Sequence, residues 1–146
     1  MRIRTTTLSL VLLLAVPAFA EPPEIGVPFT LTVGQSEVLS GTDLVVGFDR
    51  ALEETRCPTG VECPWEGDAS ARVWAEVSGS RSEFVLHTLW GRPRSQTVAP
   101  YVVTMLEVNP FPHIDIEPDL SKYVLTILVT PATLTGVEER TWDRLS

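Results

Sequence analysis

Three sets of side chains in this 146-residue chain have the types and spacing for chemistry. The first is the run 111–120, FPHIDIEPDL, in which His113, Asp115, Glu117 and Asp119 fall at every second position. In an extended segment that period sets all four on one side. Carboxylate oxygens so arranged suit Ca²⁺, and an imidazole turns the preference toward a transition metal. The run lacks both EF-hand spacing and the glycine that such loops use for their sharp turn, so its alternative reading is a solvated acidic connection between strands. The second set is the pair Cys57 and Cys63. Five residues separate them, against two in a thioredoxin-like redox pair, and His87 and His113 lie too far along the chain to complete a zinc site by spacing. The third is Arg92 and Arg94 in the loop 90–96, which could grip a carboxylate but which, as exposed charges, suit simple solvation. No serine sits in a GxSxG elbow, neither histidine has the context of a triad, and nothing points to a glycosidase carboxylate pair. The expectation is a non-catalytic protein without a cofactor.

The residues 55–73, TRCPTGVECPWEGDASARV, hold both cysteines, two glycines, two prolines and one of the four tryptophans. In an exported chain two cysteines favour a bridge. It would close a ring with Pro58, Thr59, Gly60 and Val61 at its tip and contribute about 2 kcal/mol by restricting the unfolded chain. A rigid loop is a sound recognition element, because ordering it on binding costs little. Trp65, two residues beyond the ring, and the acids Glu62, Glu66 and Asp68 extend that candidate surface. Trp65 has a second and favoured reading, as a plug folded back over the disulfide, since burial is the commoner use of a large aromatic.

Within this stretch Arg56, Cys57, Pro58, Val61, Cys63, Trp65, Gly67, Ala69 and Val73 resemble the RCPxxVxCxWxGxAxxxV signature of a family of small bacterial exported proteins and lipoproteins. The segments 29–35 (FTLTVGQ) and 101–110 (YVVTMLEVNP) are similar to the flanking pieces of that family. Thr55 stands where such sequences usually carry Ser, and Pro64 where they usually carry a β-branched residue. The resemblance implies an exported compartment and a β fold; the family has no established activity, so it implies no reaction.

The ends and the charge agree with export. Arg2 and Arg4, the apolar run 8–16 and Ala18-Phe19-Ala20 read as a signal peptide, residues 1–20, cleaved ahead of Glu21. Extended to Ala20 the apolar run has 13 residues, short of the roughly 20 that span a bilayer. Glu21 is not a cysteine, so the lipid attachment of some relatives is excluded. Cleavage removes two arginines, so 11 basic residues become 9 against 19 acidic ones and the net charge moves from −8 to −10. That balance argues against nucleic acid and anionic lipid as partners. A periplasmic or secreted bacterial protein is expected, soluble after cleavage, with an unknown protein or small ligand of the cell envelope as its partner.

The elements that must position these residues are strands. After a lead-in over 21–28, alternation over 29–33, 36–39 and 44–50 predicts the first strands, with Leu44, Val46 and Phe48 on one face and Gly47 marking a bulge or a close backbone approach. The segment 51–54 suits either strand or a helical turn. Residues 69–77 alternate most regularly, with Ala69, Ala71, Val73, Ala75 and Val77 on a small-residue face that leaves room for Phe48 or Phe84. Gly79-Ser80 predicts a hairpin turn into a strand over 81–89. His87 reads as an ordinary strand residue. Further strands are predicted over 101–108 and 123–130, the latter apolar on both faces and therefore central. About seven or eight short strands without a convincing helix predict an all-β, antiparallel β-sandwich, or a partly closed barrel, over 29–130, with a tail over 131–146 that includes Trp142. The functional expectation is a structural or binding module working through the disulfide loop. A protease inhibitor presenting rigid loops and a metal-binding exported protein are the alternatives.

Overall fold

Eight strands divide into two four-stranded antiparallel sheets in a computed structural model that describes residues 20–133. In chain order they are β1 (Phe29–Thr32), β2 (Ser36–Val38), β3 (Leu44–Glu54), β4 (Ala69–Val77), β5 (Ser80–His87), β6 (Ser95–Val98), β7 (Tyr101–Asn109) and β8 (Val124–Pro131), with one 3₁₀ turn over Leu120–Lys122. One sheet has the order β1-β8-β7-β6 and the other β2-β3-β4-β5. The sheets form a sandwich and do not close, so the barrel alternative is set aside. Residues 1–19, with most of the signal segment, and residues 134–146, with Trp142, lie outside the described residues. Among the described residues no helix is long and apolar enough to cross a membrane.

The core follows the alternation read from the sequence. Leu31, Leu44, Val46, Phe48, Ala69, Ala71, Val73 and Ala75 are buried from one end of the chain's pattern, and Val103, Met105, Tyr123, Leu125, Ile127 and Val129 from the other. The small face of β4 is flanked by larger side chains: Phe48 and Phe84 sit opposite Val73 on the two neighbouring strands. β8 lies between β1 and β7, as its apolar character on both faces requires.

Irregularities in β3 and β7 carry the features that alternation alone does not predict. β3 continues through 51–54 as strand, with register shifts between Phe48 and Arg50 and between Ala51 and Glu53. Each shift inserts one residue, so the inward set runs Leu44, Val46, Phe48, Ala51 and then Glu54, while Arg50 and Leu52 are turned outward. Strict alternation would have buried Arg50. In β7 a third shift, between Met105 and Glu107, leaves Leu106 as the extra residue. Arg94 binds that bulge, donating from Nε to the Met105 carbonyl at 2.9 Å and from Nη2 to the Leu106 carbonyl at 2.5 Å. Arg94 is exposed, as the sequence suggested, and it is a backbone clamp as well.

Gly47 marks a close approach. Trp74 is its cross-strand partner on β4, and a Cβ on Gly47 would lie 2.1 Å from the indole Cε2. The Arg81 guanidinium stacks on that indole, 3.8 Å from the ring centroid. The hairpin turn falls one residue earlier than predicted. Val77 pairs with Ser80, and Ser78 and Gly79 both have positive φ, 50° and 79°. Those are the angles of a two-residue turn matched to strand twist, and the Ser78 hydroxyl is held there by Asp43. The lead-in is not uniformly extended: the Val27 N–H meets the Glu24 carbonyl in a turn, and the segment is tied down by Gly26 N–H to Val129 and by Ser40 N–H to Pro23.

Val73 is fully buried with Phe48 and Phe84 on either side. Val73→Asp places an unpaired charge in that site and is expected to abolish folding. Circular dichroism of the variant checks this, and a native β spectrum would mean that the inner and outer faces of β4 are reversed.

Candidate functional site

Three connections gather at one end of the sandwich: 55–68 after β3, 88–94 after β5 and 110–119 after β7. The antiparallel order brings them together, because β3, β5 and β7 all finish there.

The connection 55–68 is closed twice. At its neck the Thr55 N–H donates to the Asp68 carbonyl at 2.7 Å and the Asp68 N–H to the Thr55 hydroxyl at 3.0 Å. Gly67 fits this neck as no other residue does, since its φ is +72° and a Cβ would fall 1.9 Å from the Thr55 carbonyl oxygen. Further out, Cys57 and Cys63 form the expected disulfide, with Cα atoms 5.8 Å apart. Of the tip residues, Pro58 is half-buried and Thr59, Gly60 and Val61 are exposed. The tip is not free, however. The Thr59 N–H donates to the Pro112 carbonyl at 2.9 Å and the Ile114 N–H donates to the Thr59 carbonyl at 3.2 Å, so the ring and the connection 110–119 share a short parallel bridge.

Trp65 corrects the plug reading. It is 60 % exposed and is not part of the core cluster; among the polar side chains buried at this end are those of Arg56 and Glu54. The Arg56 side chain is 8 % exposed and that of Glu54 3 %. Arg56 donates from Nε and Nη2 to the Glu54 carboxylate, from Nη1 to the Val108 carbonyl at 2.9 Å and from Nη2 to the Pro110 carbonyl at 3.1 Å. Its plane lies 4.4 Å from the Phe111 ring centroid. Tyr123 completes the group by donating to Glu54 Oε2 at 2.8 Å. Burial first, then the bond to Glu54 and its charge, push the Tyr123 phenol up to about 12, against the opposing influence of Arg56.

A second buried carboxylate holds the connection 88–94. Asp68, expected among the surface acids, is buried. Its Oδ1 accepts from the N–H groups of Thr88 and Leu89, both at 3.0 Å, and from the Thr88 hydroxyl, while Oδ2 meets His87 Nδ1 at 2.6 Å. Burial works against the charged form here. The His87 hydrogen bond, the Leu89 N–H, the His87 charge and the Thr88 hydroxyl overcome it, and the Asp68 carboxyl is held below its ordinary value. His87 is therefore a positioning residue for this loop.

The alternating acids do not converge. Residues 113–116 form a turn, in which the Ile116 N–H donates to the His113 carbonyl and the Asp115 N–H approaches His113 Nδ1, so the extended geometry that would align the four side chains is absent. Asp119 instead caps the 3₁₀ turn through Ser121 and pairs with Lys122 at 3.3 Å. Among the described residues no group of three or more His, Cys, Asp or Glu is gathered to hold a metal ion.

What the sequence concealed is the apolar character of this end. Val61, Trp65, Trp90, Phe111, Ile114 and Ile116 are all exposed on the three connections, six of the nine large exposed hydrophobics described. Trp90 is 90 % exposed. The available signal was large apolar residues set among Pro, Gly and acids, where no strand period accounts for them. No protein-family model, curated protein or solved structure matches the chain.

Removing the cation alone leaves Glu54 charged and buried, so Arg56→Met is expected to cost about 3–5 kcal/mol. Adding Glu54→Gln, which still accepts from Tyr123, should recover about 2 kcal/mol of that by the same reasoning. Urea unfolding of both variants checks the pair, and equal losses in single and double variants would show that the ion pair does not organise this end. Because the folded Asp68 carboxyl is depressed, its contribution is complete above the unfolded value, about 3.9, and is lost as pH falls through the lower folded value. Stability measured from pH 5 to pH 2 should fall less steeply in Asp68→Asn than in the native chain.

Proposed function

We propose that the chain is a non-catalytic binding module of the bacterial cell envelope, exported by its leader and working through the end of the sandwich that carries Pro58, Thr59, Gly60, Val61 and Trp65. The observation that supports this most is the concentration of exposed Val61, Trp65, Trp90, Phe111, Ile114 and Ile116 on three connections at that end. Large aromatic and aliphatic side chains held in water at one place suit contact with a partner. The disulfide and the Thr55–Asp68 neck hold the loop in one shape before any partner arrives, which lowers the ordering cost of binding. The disulfide also suits an oxidising compartment. The RCPxxVxCxWxGxAxxxV resemblance supports the same reading through the structural work of its residues: Arg56 bolts the end together, Gly67 closes the neck, and Ala69 and Val73 enter the core.

A second reading, as a protease inhibitor, is favoured by one feature. The exposed tip 59–62 projects from a ring fixed both by a disulfide and by backbone bonds to its neighbour, as a loop offered to a cleft must be. Near-stoichiometric inhibition within a protease panel would select it.

The test is capture from envelope extract with two baits, the native chain and a variant carrying Val61→Ser, Trp65→Ser and Trp90→Ser. These side chains are exposed, so the fold is expected to be unchanged. One species held by the first bait and lost from the second is the expected result. Equal retention on both, or none on either, would overturn the module reading.

A further inference from the structure

The connection 110–119 forms a ridge beside the disulfide ring, and between them lies a groove of about 410 Å³. Its walls are apolar and stiff: Pro58 on the ring side, and Pro112, Ile114, Ile116 and Pro118 along the ridge. Four charged residues besides His113 line it, and they divide into two pairs of different standing. Glu54 and Arg56 neutralise one another in a bidentate contact. Asp115 and Glu117 are exposed at the surface, and among the described residues neither meets a lysine or arginine; Asp115 has only the exposed His113, at 3.9 Å. The groove therefore presents two uncompensated carboxylates at the edge of a proline-and-isoleucine trough. That combination complements a side chain that is apolar along its length and cationic at its tip.

We propose that this groove receives a lysine or arginine side chain from an extended peptide segment of the partner, with the aliphatic stem against Pro112, Ile114 and Pro118 and the cationic head at Asp115 and Glu117. The inference rests on the binding-module reading and gives its partner a chemistry. An apolar residue next to the basic one is accommodated as well, since Val61 stands exposed on the ring and the groove wall Ile114 lies close to that ring, its Cγ2 3.2 Å from where a Cβ of Gly60 would be. The occupant is a peptide segment rather than a metal ion, because among the described residues no third His, Cys, Asp or Glu is gathered with these carboxylates to hold one. It is not a nucleic acid or an anionic lipid, whose phosphates the net charge of −8 repels.

The experiment is a titration of the whole ¹⁵N-labelled chain with three synthetic peptides, acetyl-Ala-Leu-Lys-Leu-Lys-Ala-amide, its glutamate counterpart and its norleucine counterpart, followed by amide chemical shifts. The lysine peptide is expected to shift residues 58–61 and 112–118, with affinity reduced at least fivefold when NaCl is raised from 50 to 500 mM. The glutamate peptide should leave those residues unmoved, and the norleucine peptide should bind at least tenfold more weakly. Asp115→Asn with Glu117→Gln should weaken the lysine peptide at least tenfold with the remaining spectrum unchanged, which excludes a loss of fold. Ile114→Ser should weaken both the lysine and norleucine peptides. No shifts with the lysine peptide, shifts confined to other residues, or equal binding of the glutamate peptide would overturn the proposal. The two readings fail separately. A partner captured through Val61, Trp65 and Trp90 together with a silent lysine titration removes only the cationic peptide, whereas no loop-dependent capture removes the module reading itself.

Discussion

A guanidinium closed off from water between two sheets has to find a partner for its charge and for its N–H groups in the same place. Arg56 does so with components from both halves of the sandwich. Its counter-ion, Glu54, ends a strand of one sheet, and its carbonyl acceptors, Val108 and Pro110, belong to or follow a strand of the other. Phe111 stacks on its face, and Tyr123, the residue just before the last strand, bonds to the same carboxylate. The planar fork is what allows one residue to address a carboxylate and two carbonyls at fixed angles, and a lysine ammonium could not reproduce it. All three connections at this end depend on that arrangement: the first contains Arg56, the third is anchored by its carbonyls and Phe111, and the second is pinned to the same neck by Asp68.

β3 is bulged twice, and the second bulge undoes the change of face made by the first, so Glu54 keeps the inward face of Phe48 while Arg50 and Leu52 are turned outward. The strand gains one residue at each bulge, so the inward positions step from Phe48 to Ala51 to Glu54 and the outward turn of Arg50 and Leu52 costs no buried charge. The same device in β7 provides the two carbonyls that Arg94 clamps. In both places an irregular stretch of ladder leaves backbone or carboxylate oxygens that an arginine satisfies. The two arginines are thus part of the sheet architecture, while the acidic surface around them remains largely uncompensated.

The fold was legible wherever burial imposes a period of two. Residues 69–77 could only alternate as they do if one face entered a core, and the doubly apolar 123–130 could only be central. Gly47 announced a close approach, though not that an indole would fill it. Reading failed where the deciding contact is distant in sequence. Nothing near Arg56 indicates that carbonyls more than fifty residues on will receive it, and nothing near Trp65 indicates that it stays exposed. Asp68 looked like one more surface acid because its partners, 87–89, come from the end of β5 and the loop after it, nineteen or more residues on. The alternating acids of 113–119 failed for a different reason. Period two places side chains on one face only while the backbone is extended, and the turn at 113–116 removes that condition.

The bridge between Thr59 and the connection 110–119 consists of main-chain bonds, N–H to carbonyl in each direction. Such bonds are indifferent to the side chains they carry but not to the number of residues between anchors. Val61, Ile114, Asp115 and Glu117 can therefore be exchanged without moving the frame that displays them, whereas a residue inserted in either loop would put both out of register. The surface is in this sense divided into a fixed outline and an editable text, and divergence among related chains should appear as changes of residue at constant loop length on the ring and its neighbour, with length variation confined to the connection that carries Trp90.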